Sequence, residues 1–313
     1  MDGERLETET GAVDLSGGDN WVLYADNADA LPRLGDGTFR LIYIDPPFNS
    51  GKVQRRKELA TVRCNDGDRV GFGGRRYRTV TLGATSYSDV FDDYLAFIAS
   101  RLEHAHRLLT ADGTLYFHID HREAHYCKVL LDQIFGRDCF INEIIWAYDY
   151  GGRSRRRWPA KHDTILVYAK DADGYFFDQE AIERIPYMAP GLVSKEKAAR
   201  GKLPTDVWWH TIVATNGKEK TGYATQKPEG VVRRILSASS QENDWVLDFF
   251  AGSGTTGAVA QQMNRRFVMI DNNDEAIDVM TRRLGTVGVR YVDGALNPLP
   301  VNQSRSGQLG LFA

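Results

Sequence analysis

Cysteine is scarce in this chain. The 313 residues hold three, Cys64, Cys127 and Cys139, and no two share a C-x-x-C spacing. That argues against a disulfide framework or a cysteine zinc site, and it fits a reducing cytoplasm. No apolar run approaches the ~18 residues that a membrane span needs, and no signal peptide opens the chain, so no membrane partner is expected. Excess positive charge is missing as well. The net charge is −3, so the molecule does not coat nucleic acid with its whole surface, and any such contact has to be local. His118, His121 and His125 lack a fourth ligand at helical spacing and read as structural residues, with no metal expected. The length allows one large α/β domain, alone or with a small appendage.

In chain order, residues 1–19 carry six acids, one Arg and several Gly, which reads as a disordered, solvated leader. Residues 21–25 form a strand ended by Asp26-Asn27, and a short helix with Ala30, Leu31 and Leu34 follows. Residues 41–44 are apolar and β-branched, the pattern of a buried strand. Residues 49–86 hold nine Lys/Arg against three acids, with no sustained period. They read as a basic flap, charged to contact a nucleic-acid backbone. Apolar residues at helical spacing predict a helix over 89–109, then a strand over 114–119 and a helix from about 122 to 135, stopped by Gly136. Strands are expected over 141–148 and 164–168. Between them Arg153, Arg155, Arg156, Arg157 and Lys161 make the densest positive patch in the chain, with one Trp and no acid. A loop between two strands is well placed to grip phosphates. Residues 171–220 look like a small irregular region. Thr225-Gln226-Lys227-Pro228-Glu229 then opens a helix, with Pro228 in its first turn.

The four residues after the 41–44 strand are Asp45-Pro46-Pro47-Phe48. Two prolines fix the backbone as a rigid elbow at the strand's carboxyl end, the edge where open α/β sheets bind ligands. The elbow presents a carboxylate, backbone carbonyls and an aromatic face. That set suits a planar amine, whose two N–H groups meet the carboxylate and a carbonyl while the ring stacks. Taken alone, the stretch also fits a proline-stopped strand ending in an ordinary turn.

A second chemical stretch lies near the other end. A strand over 245–247 ends at Asp248, and Phe249-Phe250-Ala251-Gly252-Ser253-Gly254-Thr255-Thr256-Gly257 opens a helix. The next strand, over 267–270, ends at Asp271-Asn272. The glycines spell G-x-G-x-x-G, and Asp271 lies at the distance of an acid that meets ribose hydroxyls. A dinucleotide or S-adenosylmethionine fits this pattern. A dinucleotide unit comes first in its domain, whereas here only about sixty residues remain after it. Asp248 also suits a cationic ligand, and Thr255-Thr256 put hydroxyls where small phosphate-facing residues are usual.

The stretch F-A-G-S-G-T-T resembles motif I of the DNA amino-methyltransferases, T-Q-K-P-E their motif X, and D-P-P-F their motif IV. With the target-amine motif first and the cofactor motif last, the chain is similar to the β class, in particular type III modification subunits and solitary DNA adenine methyltransferases. The stretches "GTLYFHIDHREAHYCKVLLDQIF" and "KHDTILVYAK" share that similarity, which spans roughly residues 20–285. The resemblance implies a doubly wound, largely parallel α/β sheet of the circularly permuted methyltransferase type. A target-amine half would cover 20–170, a target-recognition region 171–220 and a cofactor half 221–300, before a flexible tail over 301–313. It implies transfer of the methyl group of S-adenosylmethionine to the adenine amino group in double-stranded DNA after base flipping. The cytosine amino group is the alternative, and a dinucleotide oxidoreductase or an inactive binding protein belongs to another class. Ring-carbon methylation needs a thiol after a proline, which none of the cysteines provides.

Carried over residue by residue, Asp45, Pro46, Pro47 and Phe48 are catalytic. Asp26, Asp45, Lys227, Asp248, Phe250, Ala251, Gly252, Ser253, Gly254, Thr255, Thr256, Asp271 and Asn272 meet the cofactor. Arg153, Arg155, Arg156, Arg157 and Lys161 meet DNA. A homodimer is expected, near the nucleoid in the cytoplasm, and a restriction subunit as partner is left open. The last residues, Gln308-Leu309-Gly310-Leu311-Phe312, resemble the peptide by which bacterial proteins bind the DNA sliding clamp, with Gln308, Leu309, Leu311 and Phe312 as anchors. Docking of this end on its own core is the alternative.

Overall fold

The computed structural model describes residues 11–49, 52–63, 69–70, 76–89, 91, 93–152, 154–214 and 216–300. In chain order the strands are β1 (Asn20–Tyr24), β2 (Phe39–Ile44), β3 (Lys52–Arg63), β4 (Arg69–Val70), β5 (Arg76–Asp89), β6 (Leu109–Ile119), β7 (Phe140–Ala147), β8 (His162–Ala169), β9 (Val207–Trp209), β10 (Trp245–Asp248), β11 (Arg266–Asp271) and β12 (Val289–Asp293). The helices are α1 (Asn27–Ala30), α2 (Tyr94–Leu108), α3 (Ala124–Phe135), α4 (Lys195–Arg200), α5 (Glu229–Ser239), α6 (Thr255–Gln262) and α7 (Asp274–Leu284). The chain divides into two units, residues 1–46 with 95–313 and residues 47–94.

The larger unit carries a nine-stranded sheet in the order β12-β1-β11-β10-β2-β6-β8-β7-β9. The six strands from β12 to β6 run parallel, and β8 is antiparallel to both of its neighbours. Parallel strands covered on both faces need apolar residues at every position, and β2 shows why the 41–44 run is continuous. Leu41 and Tyr43 pack in the cluster with Val231, Val232 and Ile235 of α5. The alternate residues, Ile42 and Ile44, are fully buried as well. Going along the chain, β10 is followed by β11 on one side and β2 by β6 on the other. The sheet therefore reverses between β10 and β2, and at such a switch point the carboxyl ends of neighbouring strands leave a crevice. Asp248 ends β10, and Asp45 is the first residue after β2.

Of the expected leader, residues 1–10 lie outside the described residues and most of 11–19 is exposed, although Val13 is buried, its N–H donates to the Arg33 carbonyl (3.0 Å), and Asp19 pairs with Arg290 at 2.6 Å. Two segments differ from the sequence expectation. Residues 171–220 belong to the larger unit, and Trp208 is buried where β9 adds to the sheet beside β7. The 49–86 segment contains the antiparallel strands of the smaller unit, where β3 pairs with β5 from Lys52↔Asp89 to Arg63↔Tyr77. Its period is hidden in the sequence because Arg55, Arg56 and Lys57 put charge on both parities. The β-branched run Thr79-Val80-Thr81 was the available strand signal.

Candidate active site

The glycine turn is built by backbone geometry that L side chains resist. Gly252 and Gly254 sit at φ 49° and 68°, left-handed values. A Cβ on Gly252 would come within 3.2 Å of Tyr223 Cε1, and one on Gly254 within 2.6 Å of Met280 Cγ. Gly254 caps α6 and donates its N–H to the Ala251 carbonyl (2.8 Å), while Ala251 donates to Ile270 O of the neighbouring strand (3.1 Å). The Gly252 N–H donates to Asp271 Oδ2 (2.7 Å), and Asp271 Oδ1 accepts from Asn273 N–H (2.9 Å). The acid at the end of β11 thus braces the turn at the end of β10. Asn272, between Asp271 and Asn273, is exposed.

The hydroxyls of the turn point inward. Thr256 donates to Asp248 Oδ2 (2.6 Å), Ser253 and Thr255 share a bond of 3.1 Å, and Thr255 also donates to the Lys227 carbonyl (3.2 Å). Arg283, which the sequence reading missed, ties this cluster to α5. It donates to Thr255 Oγ1 (2.9 Å), Ser253 O (3.1 Å) and Glu229 Oε1 (2.7 Å). Its only sequence signal is a place in the last turn of α7. Phe250 lies 6.2 Å from Phe97, ring to ring. Asp26 caps α1 through Ala28 N–H (2.9 Å) and pairs with Arg101 at 3.2 Å. Beside it Asn27 donates to the Phe249 carbonyl (2.7 Å), which links α1 to the glycine turn.

Three carboxylates meet at this edge. Burial pushes the Asp248 carboxyl up to about 7, against the Thr256 and Phe250 hydrogen bonds, and the charges of Asp45 and Asp271 raise it further. Burial also raises Asp271, despite the backbone N–H groups of Gly252, Asn273 and Asn272. Lys227 answers this charge through an ion pair with Asp45 Oδ2. The other Asp45 oxygen, Oδ1, is buried and has no hydrogen-bond partner among the described residues. An unpaired buried carboxylate oxygen is costly unless a donor arrives. A crevice with three acids and glycine-lined backbone fits a cationic, adenosine-containing ligand better than a pyrophosphate, whose charge would add to theirs.

Pro46 closes the larger unit, and Pro47 and Phe48 open the smaller one. Behind Asp45, the Tyr43 hydroxyl meets His118 Nδ1 at 2.9 Å, and His118 Nε2 meets Asp163 Oδ2 at 3.2 Å. The Tyr148 hydroxyl donates to Asp163 Oδ1 (3.1 Å), so fully buried His118 is part of a polar core network. Among the described residues no group of three or more His, Cys, Asp or Glu could hold a metal ion. Of the basic patch, Arg155, Arg156 and Arg157 are exposed on the loop between β7 and β8, and Arg153 lies outside the described residues. Lys161 is turned back on the loop, where its ammonium donates to the carbonyls of Tyr150 (2.6 Å) and Gly151 (2.9 Å). Gln308, Leu309, Leu311 and Phe312 also lie outside the described residues. Among the described residues no helix is long and apolar enough to cross a membrane. A separate cavity of about 380 Å³ lies toward the opposite sheet edge, between Thr114, Trp208 and Arg234.

Residues 39–282 match a family of N6 and N4 methyltransferases described as DNA methylase. The chain is 30% identical to the type II methyltransferase M.HpaI of Haemophilus parainfluenzae, over 85% of this chain and 74% of that protein. It is 29% identical to the DNA adenine methyltransferase YhdJ of Escherichia coli (strain K12), over 84% of this chain and 82% of that one. Among solved structures, the PvuII DNA methyltransferase, named as cytosine-N4-specific, superposes with a TM-score of 0.58 at 15% identity. That match covers 85% of this chain and 87% of the other. A putative DNA modification methylase from Thermus thermophilus, solved with S-adenosyl-L-methionine, gives a TM-score of 0.53 at 16% identity, covering 88% and 100%. These likenesses establish the Rossmann-like methyltransferase fold.

Proposed function

Because this chain belongs to the DNA methylase family, we propose that it moves a methyl group from S-adenosylmethionine to the exocyclic amino group of adenine in double-stranded DNA. The amino group is inside the duplex, so the target nucleotide is turned out before the reaction. The observation that carries this reading is the buried, unpartnered Asp45 Oδ1 at the sheet's switch point, beside the proline elbow. Adenine is favoured because an Asp, rather than a Ser, opens the elbow, and because YhdJ is named for adenine.

S-adenosylmethionine, when bound, supplies a methyl group on a positively charged sulfur. Gly252 and Gly254 let it approach the backbone, Phe250 offers a ring for its adenine, and Asp271 accepts from its ribose hydroxyls. Asp45 Oδ1 accepts one amino N–H of the target and the Pro46 carbonyl accepts the other, which aligns the nitrogen and stabilises the positive charge growing on it. Phe48 stacks on the base. Lys227 has to leave Asp45 for this to work, since an ammonium beside that nitrogen opposes the same charge. Transfer of tritium from labelled S-adenosylmethionine to duplex DNA tests the reading. Binding of the cofactor without transfer would leave a binding protein instead.

The carboxylate cluster makes cofactor affinity depend on pH. Asp248, with its pKa raised to about 7, stays protonated in the fold at acid pH where the unfolded chain is ionised. Its stabilising contribution is therefore present below about 4 and is lost as pH rises toward 7. A bound cation favours the ionised form. Affinity for S-adenosylmethionine should thus rise with pH, by up to about tenfold per unit below 7, and level off above it. Calorimetric titration across that range checks this, and Asp248→Asn should flatten the curve. A flat wild-type curve would remove Asp248 from the account.

A further inference from the structure

The basic loop carries one group that phosphate binding does not use. Trp158 is 95% exposed, although an indole normally buries most of its surface. The loop that presents it is braced. Tyr148 N–H donates to the Lys161 carbonyl at the neck (3.0 Å), and the Lys161 ammonium holds the carbonyls of Tyr150 and Gly151. At the other limb Ser154 Oγ accepts from the N–H groups of Arg156 and Arg157, each at 3.2 Å. Pro159 restricts the backbone of Trp158 to extended conformations. The backbone that carries the ring is therefore hydrogen-bonded on both limbs of the loop.

The loop also leaves the sheet at the right edge. β7 runs in the same direction as β2, because β8 is antiparallel to both β6 and β7. The end of β7 and the start of β8 thus lie at the edge where Asp45 follows β2. Three exposed arginines immediately precede the ring in sequence.

We propose that Trp158 is a wedge that enters the DNA stack as the target nucleotide leaves it and fills the vacated space. This rests on the base-flipping methyltransferase reading above. Turning out a paired base costs its stacking and pairing, least for a base already unpaired. An inserted aromatic side chain recovers part of that stacking, and a base–aromatic stack corresponds to roughly 5- to 150-fold in an equilibrium. The three arginines hold the flanking phosphates, so the ring is delivered to the groove rather than to solvent.

The test compares two duplexes containing the recognition sequence, which is first read from methylated DNA of expressing cells. One is fully paired, and the other has an abasic site opposite the target adenine. Single-turnover methylation by Trp158→Ala should fall about 10- to 100-fold on the paired duplex and stay near wild type on the other. Trp158→Phe should be intermediate on the paired duplex. Equal losses on both duplexes, or no loss on either, would overturn the wedge. So would a change of oligomeric state in sedimentation, which would make the ring a contact between copies. Failure of the wild-type protein to methylate either duplex would instead refute the methyltransferase reading.

Discussion

Asp45→Ala is expected to lower kcat for methyl transfer by about 10³-fold or more while S-adenosylmethionine binding stays within about tenfold. In the proposed mechanism the carboxylate serves the transition state, where charge grows on the amino nitrogen, while the glycine turn assigned to the cofactor is braced by Asp271. The substitution also removes the ion pair between Asp45 and the Lys227 ammonium. Asp45→Asn separates the two effects, because it keeps the shape and an acceptor oxygen but loses the charge. Single-turnover tritium transfer, with cofactor binding followed by calorimetry, measures both quantities. Loss of cofactor binding with methyl transfer otherwise intact per bound cofactor would move Asp45 out of the reaction and into the cofactor site.

Replacing Arg155, Arg156 and Arg157 together by Ala should weaken binding to every DNA sequence, by roughly 10²-fold near physiological salt. The slope of log K against log salt should become shallower by about 2.7, or about 0.9 for each phosphate that is no longer neutralised. All three side chains are exposed, so the fold is not at stake and the unfolding midpoint should not move. Binding measured by anisotropy at several salt concentrations gives both numbers. If affinity and slope hold while the methylated sequence changes, the loop reads bases rather than phosphates.

Local chemistry was legible in the sequence where one short segment carried it. The strand ending at Asp248, the glycine turn and the strand ending at Asp271 appear as β10, the turn into α6 and β11. The elbow follows β2 as the apolar run 41–44 required. Pairings between distant segments were not legible. Lys227 and Asp45 are 182 positions apart, and nothing in either neighbourhood announces their ion pair. Tyr43, His118 and Asp163 come together only through the pairing of β2, β6 and β8. Arg283 was not singled out in the sequence, and its bond to Thr255 exists only because α7 packs beside the turn. The long strands β3 and β5 were hidden for a different reason: a strand signal needs contrast between alternate positions, and in the sequence Arg55, Arg56 and Lys57 occupy both odd and even ones.

The central claim is the identity of the modified group. Duplex DNA incubated with the protein and S-adenosylmethionine, digested to nucleosides and analysed by mass spectrometry, should contain N6-methyladenine, and the Asp45→Ala protein should produce none. N4-methylcytosine in its place would keep the amino-methyltransferase chemistry and contradict the adenine assignment. No methylated nucleoside, from protein shown to bind the cofactor and DNA, would contradict the account as a whole.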